Sequence, residues 1–89
     1  MSKVEQFLVE RSNTHGDPVA QARTSQALKQ LFLAESKMAD NRLSPLQKEC
    51  IDMICLKMSR IATGDADCKD HWDDIAGYAT LASNGLGED

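Results

Sequence analysis

The chain has 89 residues, a net charge of −4 at pH 7, 42% hydrophobic and only 4% aromatic residues. A chain of this length forms one domain with a shallow core, and its acidic balance disfavours generic binding of nucleic acids or anionic membranes. Three cysteines without C-x-x-C spacing argue against a disulfide framework or a zinc site. No apolar run has the length of a membrane span, so we expect a cytoplasmic location.

Start signals and apolar periodicity predict helices over about residues 3–12, 18–38, 45–62 and 67–83. We therefore expect an all-α fold in which residues 1–89 form one small bundle of three main helices and a short N-terminal helix. A core this shallow also favours a homo-oligomer.

The helix starts are the clearest local signals. Ser2 can cap the first helix, and Asp17 followed by Pro18 suits the start of the second. Ser44 with Gln47 three residues later is the pattern of a capping box. The third helix carries an apolar arc so wide that we expect it to be central and to contact a neighbour on each side.

The fourth helix has an apolar stripe that we predict to face the core. Its members are Trp72, Ile75, Ala76, Ala79 and Ala82. In this arrangement Trp72 is a core residue and His71, one position earlier, faces water.

Charged residues along the third and fourth helices form a second pattern. Lys57 lies inside the apolar arc of the third helix and needs either a carboxylate partner or a route to water. The turn near Asp65 is short, so the two helices should pack antiparallel. Residues that then lie at the same height are Lys57 with Asp74, Arg60 with Asp70, and Asp52 with Tyr78.

Two interpretations of this polar ladder are open. The ion pairs can simply hold the two helices in register. Alternatively, the ladder is a nucleotide pocket in which Lys57 and Arg60 bind phosphates, with His15 at its mouth and Tyr78 at its edge. The residues predicted to hold a magnesium ion in that pocket are Glu49, Asp52, Asp70 and Asp74. Neither histidine has a nearby serine or cysteine that suggests a nucleophile, so no catalytic residue is assigned.

Several segments resemble a family of small phage and prophage proteins of unknown function. They are Arg11 to Asp17, Lys57 to Arg60, and the stretch Asp70-His71-Trp72-Asp73-Asp74-Ile75-Ala76-Gly77-Tyr78. The layout is also distantly similar to the all-α nucleoside triphosphate pyrophosphohydrolases of the MazG and dimeric dUTPase type. That resemblance implies magnesium-dependent cleavage between the α- and β-phosphates, with Glu49, Asp52, Asp70 and Asp73 as the matching acids. Those enzymes carry an E-E-x-x-E motif on one helix and an E-x-x-D motif on the next. Lys48 stands where the first acidic residue of the E-E-x-x-E motif is expected.

Two functions of different classes follow from these patterns. In the first, this is a phage-encoded, nucleotide-handling protein that binds or hydrolyses a nucleotide with magnesium. In the second, it is a non-enzymatic phage accessory protein in the host cytoplasm, which inhibits a host defence protein or sequesters a signalling nucleotide. Neither function involves a membrane or direct DNA or RNA binding.

Overall fold

The computed structural model describes residues 2–6, 14–36 and 42–87, and this part of the chain contains helices and no strand. Residues 3–6 are helical, and the main helices are α1 (Pro18–Glu35), α2 (Pro45–Thr63) and α3 (Lys69–Gly85). The all-α prediction is therefore confirmed. Helix α1 ends three residues earlier than predicted, at a Ser36 cap, and α3 begins two residues later than predicted. Residues 7–12 of the first predicted helix and residues 37 and 38 of the second lie outside the described residues.

The predicted helix caps are confirmed by their hydrogen bonds. The Ser2 hydroxyl accepts from the Glu5 amide at 3.1 Å, and the Asp17 carboxylate accepts from the Ala20 amide at 3.0 Å. At the start of α2, the Gln47 amide donates to the Ser44 hydroxyl, and the Ser44 amide donates to the Gln47 side chain. This reciprocal arrangement satisfies two amides that the helix itself leaves without acceptors.

Helix α2 is central, as its wide apolar arc predicted, because it packs against both α1 and α3. In the described residues each outer helix packs mainly on α2 rather than on the other outer helix, and the three form the small all-α bundle that was predicted. Within the described residues, the buried apolar side chains are those of Cys50 and Cys55. No helix in that same part of the chain is long and apolar enough to cross a membrane.

The inward side of α3 differs from the predicted one. His71 is only 1% exposed, whereas Trp72 is 55% exposed and its indole N–H donates to the Ala66 carbonyl at 2.7 Å. The predictions that Trp72 is a core residue and that His71 faces water are therefore wrong. The half-buried residues of α3 continue the His71 side at helical spacing, at Asp74, Ile75 and Tyr78, so the buried stripe is rotated by one residue from the predicted one.

The segment before α1 explains this rotation. The His71 Nε2–H donates to the Thr14 carbonyl at 2.8 Å, and the Asp65 amide donates to the same oxygen at 3.0 Å. Gly16 is buried there with a φ of +89°, and a Cβ on Gly64 would lie 2.5 Å from the Thr14 oxygen. Two glycines therefore allow residues 14–16 to lie against the α2–α3 turn, where they cover His71.

Candidate functional site

The predicted polar ladder contains one ion pair at its centre. Lys57 Nζ lies 2.9 Å from Asp74 Oδ2, as the antiparallel height rule predicted. Lys57 is 9% exposed while the Asp74 side chain is 47% exposed, so the lysine reaches outward from the helix interface to a carboxylate at its edge. The hydrogen bond from Lys57 lowers the pKa of the Asp74 carboxyl, and the charges of Lys57, His71 and Arg60 act in the same direction.

Two further members of the predicted pocket lie close to this pair. Arg60 is half-buried and is near enough to Asp74 to affect its pKa, but the predicted Arg60–Asp70 ion pair is not formed. Arg60 is engaged in an interaction of its own, and Asp70 is exposed on the first turn of α3. His15 is half-buried, with its ring centroid 4.9 Å from that of His71. The structure thus brings Lys57, Arg60 and His71 near one carboxylate, and the His15 ring lies against His71.

The predicted magnesium ligands are distributed over separate surfaces. Asp74 is bound to Lys57, and the motif carboxylate Asp73 is bound to Lys69 at 2.7 Å. Glu49 and Asp70 are exposed, and Asp52 lines a groove on the α1 side of α2. Among the described residues, no three histidine, cysteine or acidic side chains are grouped closely enough to share a metal ion.

Tyr78 lies outside the buried part of the ladder. It lines a shallow, open depression of about 400 Å³ on α3, together with Asp73, Asp74, Gly77 and Leu81. The depression carries two carboxylates, so a phosphate bound there would meet like charge.

A more enclosed groove lies between α1 and α2, and we call it the lysine groove. Its volume is about 320 Å³, and it is lined by Lys29, Phe32, Leu33, Leu43, Lys48, Ile51 and Asp52. Four of these side chains are apolar, two are cationic and one is anionic, so the groove is locally basic on an acidic protein. Its volume lies at the lower end of the roughly 300–1,000 Å³ that small-molecule sites occupy.

Charged residues that line this groove affect the pKa of the buried Cys55 thiol. Burial raises the pKa of the Cys55 thiol, the charge of Lys29 lowers it, and the charge of Asp52 raises it. Lys29 of α1 and Asp52 of α2 are therefore both close enough to the Cys55 thiol to change its pKa. A ligand in the lysine groove would meet a cation on each helix and a carboxylate on α2.

Comparison with known proteins identifies the chain's family. A family model described as "Domain of unknown function (DUF6378)" matches residues 1–85. The chain belongs to the DUF6378 family. No curated protein and no solved structure matches this DUF6378 domain.

The residues of the DUF6378 domain that sequence reasoning missed fall into two groups. Lys29 and Lys48 are not among the predicted binding residues, because only the packing of α1 on α2 places them around one groove. The inward position of His71 had a signal in the sequence, since His71, Asp74 or Ile75, and Tyr78 repeat at helical spacing. That signal competed with the more apolar stripe through Trp72, which is one residue away.

Proposed function

We propose that this DUF6378 domain binds a nucleotide without hydrolysing it, and that the lysine groove is the binding site. The observation that carries the proposal is the position of Lys29 and Lys48 on facing helices beside an apolar floor that includes Phe32. Nucleotides combine an anionic end with a flat aromatic end, so a site for them needs cations beside an apolar surface.

Each part of the groove has a place in this proposal. The ammonium groups of Lys29 and Lys48 donate hydrogen bonds to phosphate oxygens. The base packs against Phe32 and Leu43, where the contact is apolar and tolerant of the base identity. Asp52 is left to accept from a sugar hydroxyl or to contact a magnesium ion that the phosphates carry, since Mg²⁺ in nucleotide sites typically uses one or two carboxylates.

The proposal that no hydrolysis occurs is supported by the placement of the carboxylates. A pyrophosphohydrolase of the type that the sequence resembles needs several acids converging on magnesium near the water that attacks. In this chain Asp73 and Asp74 are each bound to a lysine, and Asp52 faces the other side of α2. Lys48, which replaces the first acid of the motif, lines the lysine groove as a cation.

The seam between α2 and α3 remains the predicted alternative location for the ligand, with Lys57, Arg60, His15 and Tyr78 as its binding residues. Lys57, Arg60 and His71 near Asp74, with the His15 ring beside His71, favour this second candidate. A ligand phosphate there would have to displace Asp74 from Lys57, whereas neither Lys29 nor Lys48 has such a partner to lose among the ion pairs of the described residues.

The test is a thermal-shift screen followed by calorimetric titration with the best nucleotide. The panel contains nucleoside mono- and triphosphates and cyclic signalling nucleotides, each with and without magnesium. A ligand at 100 times its dissociation constant adds roughly 2.7 kcal/mol to the free energy of unfolding, which is a shift of several degrees for a domain of this size. The recovered nucleotide is then analysed by chromatography, and we expect it to be intact.

Three variants locate the site. Lys48→Gln should weaken binding by roughly tenfold, the loss expected for one charge-assisted hydrogen bond, while the matched control Lys69→Gln leaves it unchanged. Tyr78→Phe should also have no effect, and a loss in that variant would move the site to the α2–α3 seam. Magnesium-dependent release of pyrophosphate from a triphosphate would contradict the non-catalytic proposal.

The absence of any shift across the panel would instead favour the second function, a phage accessory protein that acts on a host protein. Phage origin and the relation to pyrophosphohydrolases are part of the proposal and follow from the sequence resemblance. The family description assigns no activity that would decide between them.

A further inference from the structure

A second surface of the α1–α2 pair is apolar and open, and we call it the apolar face. It surrounds a groove of about 420 Å³ lined by Leu28, Leu31, Phe32, Glu35, Ser36, Cys55 and Met58. Leu31 is 62% exposed and Met58 is 44% exposed, although both belong to helix faces with apolar neighbours. Among the described residues that line the groove, Glu35 alone is charged, so the other described lining residues carry no charge that contact with another apolar surface would leave unpaired.

The exposed area of the chain exceeds that of a compact monomer. Its accessible surface is 6454 Å², whereas a compact monomer of 9.8 kDa exposes about 5,200 Å². The Cα radius of gyration is 15.2 Å, against about 12 Å for a compact domain of 89 residues. The excess of about 1,300 Å² is larger than the roughly 800 Å² that each partner buries in a stable protein interface.

The geometry points to a second copy of this chain as the occupant of the apolar face, in a two-fold symmetric dimer. A closed two-fold contact is self-complementary, so Leu31 of one chain enters the partner's groove while the partner's Leu31 enters the groove of the first. Each chain carries a net charge of −4, so a face with one carboxylate at its rim is a surface through which two acidic copies can meet without strong repulsion.

This proposal is argued from observations other than those that support nucleotide binding, although the two surfaces share Phe32. The shallow core explains why a dimer would stabilise the fold. In the described residues the buried apolar side chains are two cysteines, and association would remove further leucine and methionine surface from water.

The first test is the mass of the full chain by size-exclusion chromatography with light scattering. We expect a dimer, with twice the monomer mass of 9.8 kDa, and a melting temperature that rises with protein over a roughly hundredfold concentration range. A monomer at every concentration, with a melting temperature that does not change, would overturn the proposal.

Variants then locate the interface. Leu31→Glu should raise the dimer dissociation constant by at least roughly 30-fold, as for a central interface residue. Val19→Glu is the matched control, since it makes the same kind of change at another exposed apolar residue of α1 that does not line the groove. Equal dissociation by both variants would overturn the assignment of the face.

A third variant guards against loss of folding. Leu31→Gln keeps a good helix former at an exposed position, so circular dichroism should show native helix content. In the proposed dimer this variant has a lower melting temperature that no longer depends on concentration. If its melting temperature equals that of the wild type at all concentrations, Leu31 is not at an interface and the proposal fails.

Discussion

The contact of residues 14–16 with the α2–α3 turn can be tested by Gly16→Ala. Gly16 has a φ of +89°, and an added Cβ would lie 2.3 Å from Thr63 Oγ1 and 2.5 Å from the Thr63 carbonyl oxygen. The hydroxyl could rotate away, but the carbonyl is backbone within α2 and cannot. The segment before α1 must therefore move off the turn, and the two hydrogen bonds that the Thr14 carbonyl accepts would be weakened or lost.

The expected loss in the free energy of unfolding is the sum of the backbone cost and the cost of the two hydrogen bonds. A residue other than glycine at positive φ costs about 1–2 kcal/mol, and each lost hydrogen bond costs about 1 kcal/mol. A loss of about 3 kcal/mol is a large share of the roughly 4–13 kcal/mol expected for a domain of 89 residues. For a domain of this size it lowers the melting temperature by roughly 12–24 °C.

Gly87→Ala is the matched control for this prediction. Gly87 also has a positive φ, +76°, but a Cβ there would have no heavy atom within 4 Å. Gly87→Ala therefore has the cost of a positive φ without a steric clash, and its free energy of unfolding should fall by about 1–2 kcal/mol at most.

The assay is thermal and urea unfolding of both variants, with hydrogen exchange of the Asp65 amide as the local measurement. That amide donates to the Thr14 carbonyl, so its protection should fall in Gly16→Ala and stay unchanged in Gly87→Ala. Equal stability losses in the two variants, with the Asp65 amide still protected, would refute the argument that contact with Thr63 makes Gly16 necessary.

Three other changes have outcomes that the structure predicts. Gly77→Ala should raise the free energy of unfolding by about 0.5–1 kcal/mol in a chemical denaturation curve, because Gly77 is within α3 and a Cβ there meets open space. Ser44→Ala should lower it by about 1 kcal/mol, because the hydroxyl that accepts from the Gln47 amide is lost; an unchanged denaturation midpoint would contradict the role of the cap. The folded-state pKa of Asp74 lies below its ordinary value of 3.8, so the carboxylate's contribution to stability is present above that value and is lost as the pH falls through the folded pKa. Asp74→Asn should therefore flatten the decline of stability below pH 3.8, as measured by unfolding at a series of acidic pH values.

The position of the proposed ligand site could be predicted from the sequence less well than the helices could. Lys57 could be paired with Asp74 because both lie on helices joined by one short turn, so their heights follow from counting residues. The same counting paired Arg60 with Asp70, but this ion pair is not formed in the structure. Residues at equal height must also point toward each other to form an ion pair. The lysine groove depends on how α1 lies on α2, and the longer connection between those helices sets no such register.

Local sequence signals were enough to predict the all-α class, the helix starts and the central place of α2. These depend on interactions within three or four residues, such as the Ser44–Gln47 box, or on an apolar arc that no other packing would bury. Which side of α3 is buried depends instead on contacts between segments that are far apart in the chain. Its two candidate stripes, through His71 and through Trp72, differ by one residue of rotation, and the Thr14 carbonyl, held against the turn by Gly16 and Gly64, provides the acceptor that allows an imidazole to be buried.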